Sequence, residues 1–332
     1  MMKKLQVILI GLCLLFANVS CTPQESEPEK DIIIGFSQSG IESSWRKRHT
    51  ESILSALKSD GYQVMYRNGM MQQSQQIQDI RAFIAYKVDM IVFTPISHTG
   101  WDAVLKEAKQ ANIPVILVDR DITIDDTSLF TSHIGPNFKA EGNRAGIYAS
   151  SCFTSEEKSE VNILEVSGNA DSYGSILRHS GFDETIRNRS NITLTIKETL
   201  YGNYTRTMGE ELMRNYIKEK NIKEIDIIYS HNDEMTLGIL DALDAVDIKP
   251  GKDIKIITID GQNDVIKELK KGRVNCVVEC NPDAGPYLIS AIERYFKYQE
   301  DGSNKEIPRE IYMTETVFSD KGDLDAIPPR NY

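Results

Sequence analysis

From residue 32 to residue 280 the chain repeats one unit: a short apolar run rich in Ile and Val, a polar or small residue at its end, then a segment with helical spacing. The runs are IIIGFS (32–37), YQVMYRN (62–68), MIVFTP (90–95), VILVDR (115–120), VNILEVSG (161–168), TLTIKETLYG (193–202), IDIIYSHND (225–233), IKIITIDG (254–261) and VNCVVEC (274–280). Several are continuously apolar rather than alternating, which predicts strands covered by helices on both faces. Between them, segments such as 74–86 and 101–111 carry apolar residues at helical spacing, among them Val104, Leu105, Ala108 and Ala111. Strand and helix in alternation predict an α/β fold built on parallel sheets. Nine such strands are many for one sheet, and residues 121–138 break the rhythm between the fourth and the fifth. The break predicts two Rossmann-like lobes facing each other across a cleft.

In open parallel sheets ligands sit beyond the carboxyl ends of the strands. The residues to weigh therefore follow each run. Gln38, Glu42, Trp45 and Arg46 come after the first, and Asp119 and Arg120 end the fourth. Ser167 and Gly168 follow the fifth, with Arg178 at the next helix start, and the sixth leads to Tyr204 and Arg206. Asn232 and Asp233 end the seventh, Asp260 the eighth and Glu279 the ninth. Singly, each has an ordinary structural explanation, because Asp, Asn and Ser are preferred N-caps and strand-to-helix turns are where caps belong. Asp233 reads as a cap or first-turn acid, and Arg206 as a solvated or ion-paired side chain. Together they have the chemistry to grip carbohydrate. A carboxylate, an amide or a guanidinium engages two neighbouring hydroxyls at once, and Trp45 and Tyr204, from opposite lobes, offer plates for the apolar face of a sugar. Charges in a closing cleft need partners, so Asp119 paired with an arginine serves stability as well as binding.

Other chemistries are poorly supplied. No G-x-G-x-x-G, P-loop or G-x-S-x-G sequence occurs, and the five histidines show no metal spacing. No cofactor and no metal is expected. Carboxylates are abundant enough that a glycosidase pair stays open as an alternative.

The N-terminus bears on location. Lys3 and Lys4 precede an apolar run from Leu5 to Ala17, interrupted by Gln6, and small and polar residues lead to Cys21. This is the pattern of a secretory signal over residues 1–20, and the run falls short of the roughly 20 residues that span a membrane. Val19-Ser20-Cys21 suits a bacterial lipoprotein signal, in which the cysteine becomes the acylated N-terminus. Asn18 departs from that pattern, and cleavage nearby with Cys21 incidental is the alternative. Residues 21–31 read as a polar, acidic tether with almost nothing to bury. Removing Lys3 and Lys4 with the signal leaves 36 basic against 49 acidic residues, a net charge of −13. Such a chain is a poor ligand for nucleic acid, and about 300 remaining residues suit two domains. Cys276 and Cys280, four residues apart on a predicted strand, stand roughly 13 Å apart, too far for a disulfide. With Cys152 they read as buried small hydrophobes.

The motifs GFSQSGIESSWR (35–46), DMIVFTPISHTGWDAVLKEAKQANIPVILVDR (89–120), LRHSGF (177–182), HNDEMTLGIL (231–240), IITIDGQND (256–264) and ECNPDAGP (279–286) together resemble the type I periplasmic sugar-binding proteins, relatives of the ribose-binding protein, over residues 32–320. Galactofuranose binders of that family share the SQ-x-G-x-ES-x-WR opening and the TGW before the third helix. The resemblance implies that Asp119, Arg120, Arg178, Asn232 and Asp260 hold sugar hydroxyls. It puts Tyr204 where Phe is usual, and Trp45 and Arg46 where the ribose binder has two phenylalanines, which argues against ribose. Glu279 or Cys280 falls at a hinge-side ligand position. Three strands are implied to cross between the lobes, with lobe 1 covering 32–136 and 281–310 and lobe 2 covering 137–280 and 311–332. The implied protein is a monomeric receptor, not an enzyme. Its lobes close on a monosaccharide, a hexose or pentose including furanose forms. A membrane partner reads the closed form: the permease of an ABC importer or, as the alternative, a histidine kinase or chemoreceptor. A carbohydrate-active enzyme is a further reading. A repressor of related fold would need a helix-turn-helix where the signal stands.

Overall fold

The computed structural model describes residues 32–41, 43–189, 192–303 and 305–332. The signal, Cys21, the tether and Glu42 lie outside these residues.

Two six-stranded sheets carry the chain. The first holds β1 (Ile33–Gln38), β2 (Gln63–Asn68), β3 (Met90–Phe93), β4 (Val115–Val118), β5 (Ser132–Gly135) and β11 (Glu310–Tyr312) in the order β2-β1-β3-β4-β5-β11, all neighbours parallel. The second holds β6 (Glu160–Ser167), β7 (Thr193–Tyr201), β8 (Ile227–Ser230), β9 (Lys255–Asp260), β10 (Cys276–Glu279) and β12 (Val317–Ser319) in the order β7-β6-β8-β9-β10-β12. Only β12 runs antiparallel to its neighbour. Both sheets reverse their winding at corresponding places, between β1 and β3 and between β6 and β8, where such sheets take ligands.

The continuous apolar runs behave as two-faced strands because successive side chains point to opposite sides. In the first sheet Met90, Val92, Ile116 and Val118 enter one core, and Ile91, Phe93, Val115 and Leu117 the other. In the second, Leu164, Val166, Ile228 and Ile256 face one core, and Val161, Ile163, Ile227 and Ile257 the opposite one. Helices cover every face: α1 (Ser44–Ser59), α2 (Gln73–Tyr86), α3 (Asp102–Gln110) and α9 (Gly285–Glu300) on the first sheet, and α4 (Phe138–Ala149), α5 (Tyr173–Arg189), α6 (Arg206–Glu219), α7 (Asp233–Leu243) and α8 (Asn263–Lys270) on the second. No helix among the described residues is long and apolar enough to cross a membrane.

The nine anticipated strands are all present, and three more join them. β5 lies inside the stretch 121–138 that breaks the sequence rhythm. Its residues, Ser-His-Ile-Gly, are half polar, yet all four are buried. Ser132 Oγ donates to the Pro308 carbonyl at 2.7 Å and His133 pairs with Glu310 at 2.8 Å, so tertiary partners replace apolar content. The chain passes from one sheet to the other between Gly135 and Phe138, between Glu279 and Gly285, and between Tyr312 and Val317.

Among the described residues Cys152, Cys276 and Cys280 are free. Cys276 and Cys280 are buried as expected, whereas Cys152 is only half-buried because it follows the end of α4 at the edge of its core.

Candidate ligand-binding cleft

The residues past the strand ends of both sheets converge on one cleft, about 490 Å³ of atom-free space partly open to solvent. On the first-lobe side, Ser43 caps α1 by accepting the Arg46 N–H at 3.0 Å, which sets Trp45 and Arg46 in the opening turn. Arg46 Nη1 donates to Asp119 Oδ2 at 2.6 Å, with both side chains buried, and Arg120 Nε stands 3.7 Å from the same oxygen. Burial by itself would raise the Asp119 carboxyl. The charges of Arg46 and Arg120 outweigh it and hold the group at about 2. His49, fully buried beneath, is pushed down to about 3 by burial and then by Arg46, so it is neutral.

Trp45 does more than offer a plate. Its indole stacks on His49 with ring centroids 5.2 Å apart, and Nε1 donates to the Cys280 carbonyl at 2.6 Å. It belongs to a core cluster of the second lobe, so a first-lobe side chain bridges the cleft.

On the second-lobe side, Arg178 Nε donates to Glu141 Oε2 at 2.7 Å and Nη1 to the His231 carbonyl at 2.8 Å. The guanidinium lies over Phe138, 5.0 Å from the ring centroid. Asn232 is held at both ends of its amide: Oδ1 caps α7 at the Met235 N–H, and Nδ2 donates to the Tyr204 carbonyl, both at 3.0 Å. The Tyr204 hydroxyl meets Ser172 at 2.8 Å and Ser175 at 2.5 Å. Gly168 makes room for that ring, since a Cβ there would stand 1.9 Å from Tyr204 Cζ. Asp233 is no cap for its own helix. Its carboxylate accepts from Thr258 Oγ1 at 2.8 Å and from the N–H groups of Gly261 and Gln262 at 2.8 and 2.6 Å. Asp260, facing the cleft, is raised above the usual carboxylate range by burial and by the Asp233 charge beside it.

Asp119, Tyr204 and Asp260 share one unusual property: φ values of 67°, 67° and 126°. Backbone in this region costs non-glycine residues of order 1–3 kcal/mol and recurs at functional sites. Here it turns three side chains off the strand axes toward the cleft.

Of the expected residues, Trp45, Arg46, Asp119, Arg120, Arg178, Tyr204, Asn232 and Asp260 line the cleft. Gln38 does not. It sits behind α1, with Nε2 donating to Thr50 Oγ1 at 2.9 Å and Oε1 accepting the Ser39 N–H at 2.9 Å. Glu279 does not either. Its carboxylate turns to Arg330 at 2.5 Å and accepts the Thr316 N–H at 3.0 Å, because side chains alternate along β10 and the cleft falls to the next position, Cys280. Arg206 is exposed and paired with Asp241 at 2.7 Å. Arg178 lies in the second turn of α5, not at its start, since the helix begins at Tyr173. Ser43, Phe138 and Gly174 also line the cleft and were not anticipated. Phe138 opens α4 directly after β5, so its signal was hidden with that strand.

A family model described as a periplasmic binding protein domain matches residues 34–299. The chain is 35% identical over 306 residues to the galactofuranose-binding protein YtfQ of Escherichia coli K12, covering 92% of this chain and 93% of that one. Its structure resembles the periplasmic component of the arabinose ABC transporter of Shewanella sp. ANA-3, bound to α- and β-L-arabinofuranose (TM-score 0.80, 36% identity, covering 87% of this chain and 92% of that one). A Mycobacterium smegmatis protein in complex with β-D-fucofuranose gives a TM-score of 0.79 at 36% identity, with 87% and 92% coverage. Two parallel-sheet lobes joined by three crossings, a polar cleft at the strand ends and these relatives agree: the chain belongs to the periplasmic binding protein family.

Proposed function

We propose that this protein is the extracytoplasmic solute receptor of an ABC sugar importer and that it binds a monosaccharide in its furanose form. The observation that carries the reading is the convergence of two hydroxyl-gripping sets on one cleft, Asp119, Arg46 and Arg120 from the first lobe and Arg178, Asn232 and Asp260 from the second. The residues are polar, planar and already oriented by one another, so little ordering entropy is lost when hydroxyls dock. Phe138 and Tyr204 add aromatic surface for the C–H face. The relatives named above that bind arabinofuranose, galactofuranose and fucofuranose favour the five-membered ring. The lobes, anticipated as 32–136 with 281–310 and 137–280 with 311–332 but with residues 311–312 moved to the first because β11 pairs with β5, hinge at the three crossings and close on the sugar.

Calorimetry with ring-restricted sugars tests this. 5-Deoxy-L-arabinose, which closes only as a furanose, is expected to bind in a one-to-one complex, and a 4-deoxypentose, which closes only as a pyranose, is not. The sugar should be recovered unchanged, since the role is reception without turnover. Binding of neither, or preference for the pyranose, would overturn the assignment. We further infer that Cys21 anchors the body by a lipid. Cys21→Ser should move the protein from the membrane to the soluble fraction, and retention in the membrane would refute the anchor.

A further inference from the structure

Behind the cleft, Glu141 of α4 is completely buried, and its Oε2 accepts from Arg178. Its other oxygen, Oε1, is also buried and has no hydrogen-bond donor among the described residues. Leaving an anionic oxygen unsatisfied in the interior is costly. The group beside it is the carboxyl of Glu315, on the segment between β11 and β12 that forms the third crossing between lobes. Oxygens of the two carboxyls and Cys280 Sγ lie within 4.8 Å of one another. The Glu315 side chain has no exposed surface. Oε2 accepts from Arg144 Nη1 at 3.1 Å and Oε1 from the Asn281 N–H at 3.3 Å.

We propose that Glu315 is protonated and donates its proton to Glu141 Oε1, so that the two carboxyls share one proton across the hinge and hold Arg178 in its cleft-facing pose through Glu141. Glu315 is thus a positioning residue. It does not line the cleft and acts on the ligand only through the Glu141–Arg178 pair.

The charges around the pair favour a proton over a cation. Arg144 from α4 and Arg178 from α5 already bring two positive charges to the two carboxyls, and a metal ion would face both. Other titratable groups nearby are Cys280 past β10 and Tyr229 of β8, both pushed up by burial, and Asp260 at the end of β9. Burial and then the Glu141 charge raise Glu315 to about 9, against the opposing pull of Arg144 and of the Asn281 N–H. A carboxyl raised above its ordinary value near 4.3 keeps the shared proton at neutral pH and loses it as pH rises through about 9, after which two buried anions repel each other.

The test compares the wild-type protein with Glu315→Gln, whose amide N–H can replace the acid O–H toward Glu141. Titration calorimetry with L-arabinose should give equal affinities for the two at about pH 7. By about pH 10 the wild type should weaken by about fivefold or more while Glu315→Gln does not. Infrared spectra of the sugar-free proteins provide a second readout. The wild type should show a protonated-carboxyl band at neutral pH that is missing from Glu315→Gln and disappears by about pH 10. Identical bands in the two proteins, or parallel affinity profiles, would overturn the shared proton. The inference rests on the sugar-receptor reading for its functional half only. Absence of L-arabinose binding by the wild type, with the Glu315-dependent band present, would sink that reading and leave the proton pair standing.

Discussion

Asp119 meets two demands at once. Its backbone takes a left-handed conformation at the end of β4, and its carboxylate neutralises a buried arginine while facing the cleft. Replacing it by Ala should abolish sugar binding, and it also removes one half of a buried ion pair with Arg46, which typically costs about 3–5 kcal/mol. Asp119→Asn keeps the shape and is expected to lose binding with less loss of stability. Calorimetry for affinity and urea unfolding for stability separate the two effects, and wild-type affinity in either variant would contradict the assigned role. The same ion pair predicts a pH dependence. A carboxyl lowered to about 2 contributes stability that is present above its ordinary value near 3.9 and lost as pH falls through about 2, roughly 2–3 kcal/mol in all. Wild type minus Asp119→Asn in acid unfolding should show that increment. At this scale much was legible in the sequence, because a strand-end Asp-Arg pair needs no long-range information to be noticed. What was not legible is the direction of each side chain. Gln38 and Glu279 end strands as Asp119 does, yet they turn to Thr50 and to Arg330.

The crossing of α4 and α5 shows how elements place the site. Gly142 lets the helices approach so closely that a Cβ there would stand 2.1 Å from the Arg178 carbonyl, and a Cβ on Gly181 would stand 2.1 Å from that of Lys139. Since the neighbouring atom is backbone, α5 itself would have to move. Gly142→Ala is therefore expected to lower stability by about 1–3 kcal/mol, as overpacking does, and to weaken sugar binding by displacing Arg178 and Phe138. A variant with unchanged melting temperature and affinity would show that the contact has slack. Elements were legible where apolar runs are long. β5 was not, since its buried Ser132 and His133 are satisfied by residues 308–310, roughly 175 positions away in sequence. Losing β5 hid the start of α4, and with it Phe138.

In the whole molecule the two lobes touch through contacts that involve no ligand. Trp45 Nε1 reaches the Cys280 carbonyl, and Ser44 Oγ donates to Gln262 Oε1 at the N-terminus of α8. Contacts made only when the lobes meet favour the closed population, and sugar affinity scales with that population. Gln262→Ala removes one such bond without touching the cleft lining. Valued at about 1 kcal/mol, the loss should weaken sugar affinity by roughly fivefold and enlarge the sugar-free protein in solution scattering. Unchanged affinity would mean that this contact persists when the lobes open.

The strand-helix alternation, the two-lobed parallel architecture and most of the cleft-lining residues are readable along the chain alone. They follow from local facts: hydrophobic period, run length, and the polar residue that ends each run. Which strand-end side chains face the cleft, that Trp45 joins the core of the opposite lobe, and that Glu141 meets Glu315 emerge only in the folded chain. Those depend on side-chain direction at left-handed backbone positions and on contacts between segments up to about 235 residues apart, such as Trp45 with Cys280. A periodic pattern carries no record of either, because it reports how each segment partitions between water and core and not which buried partner satisfies a polar group.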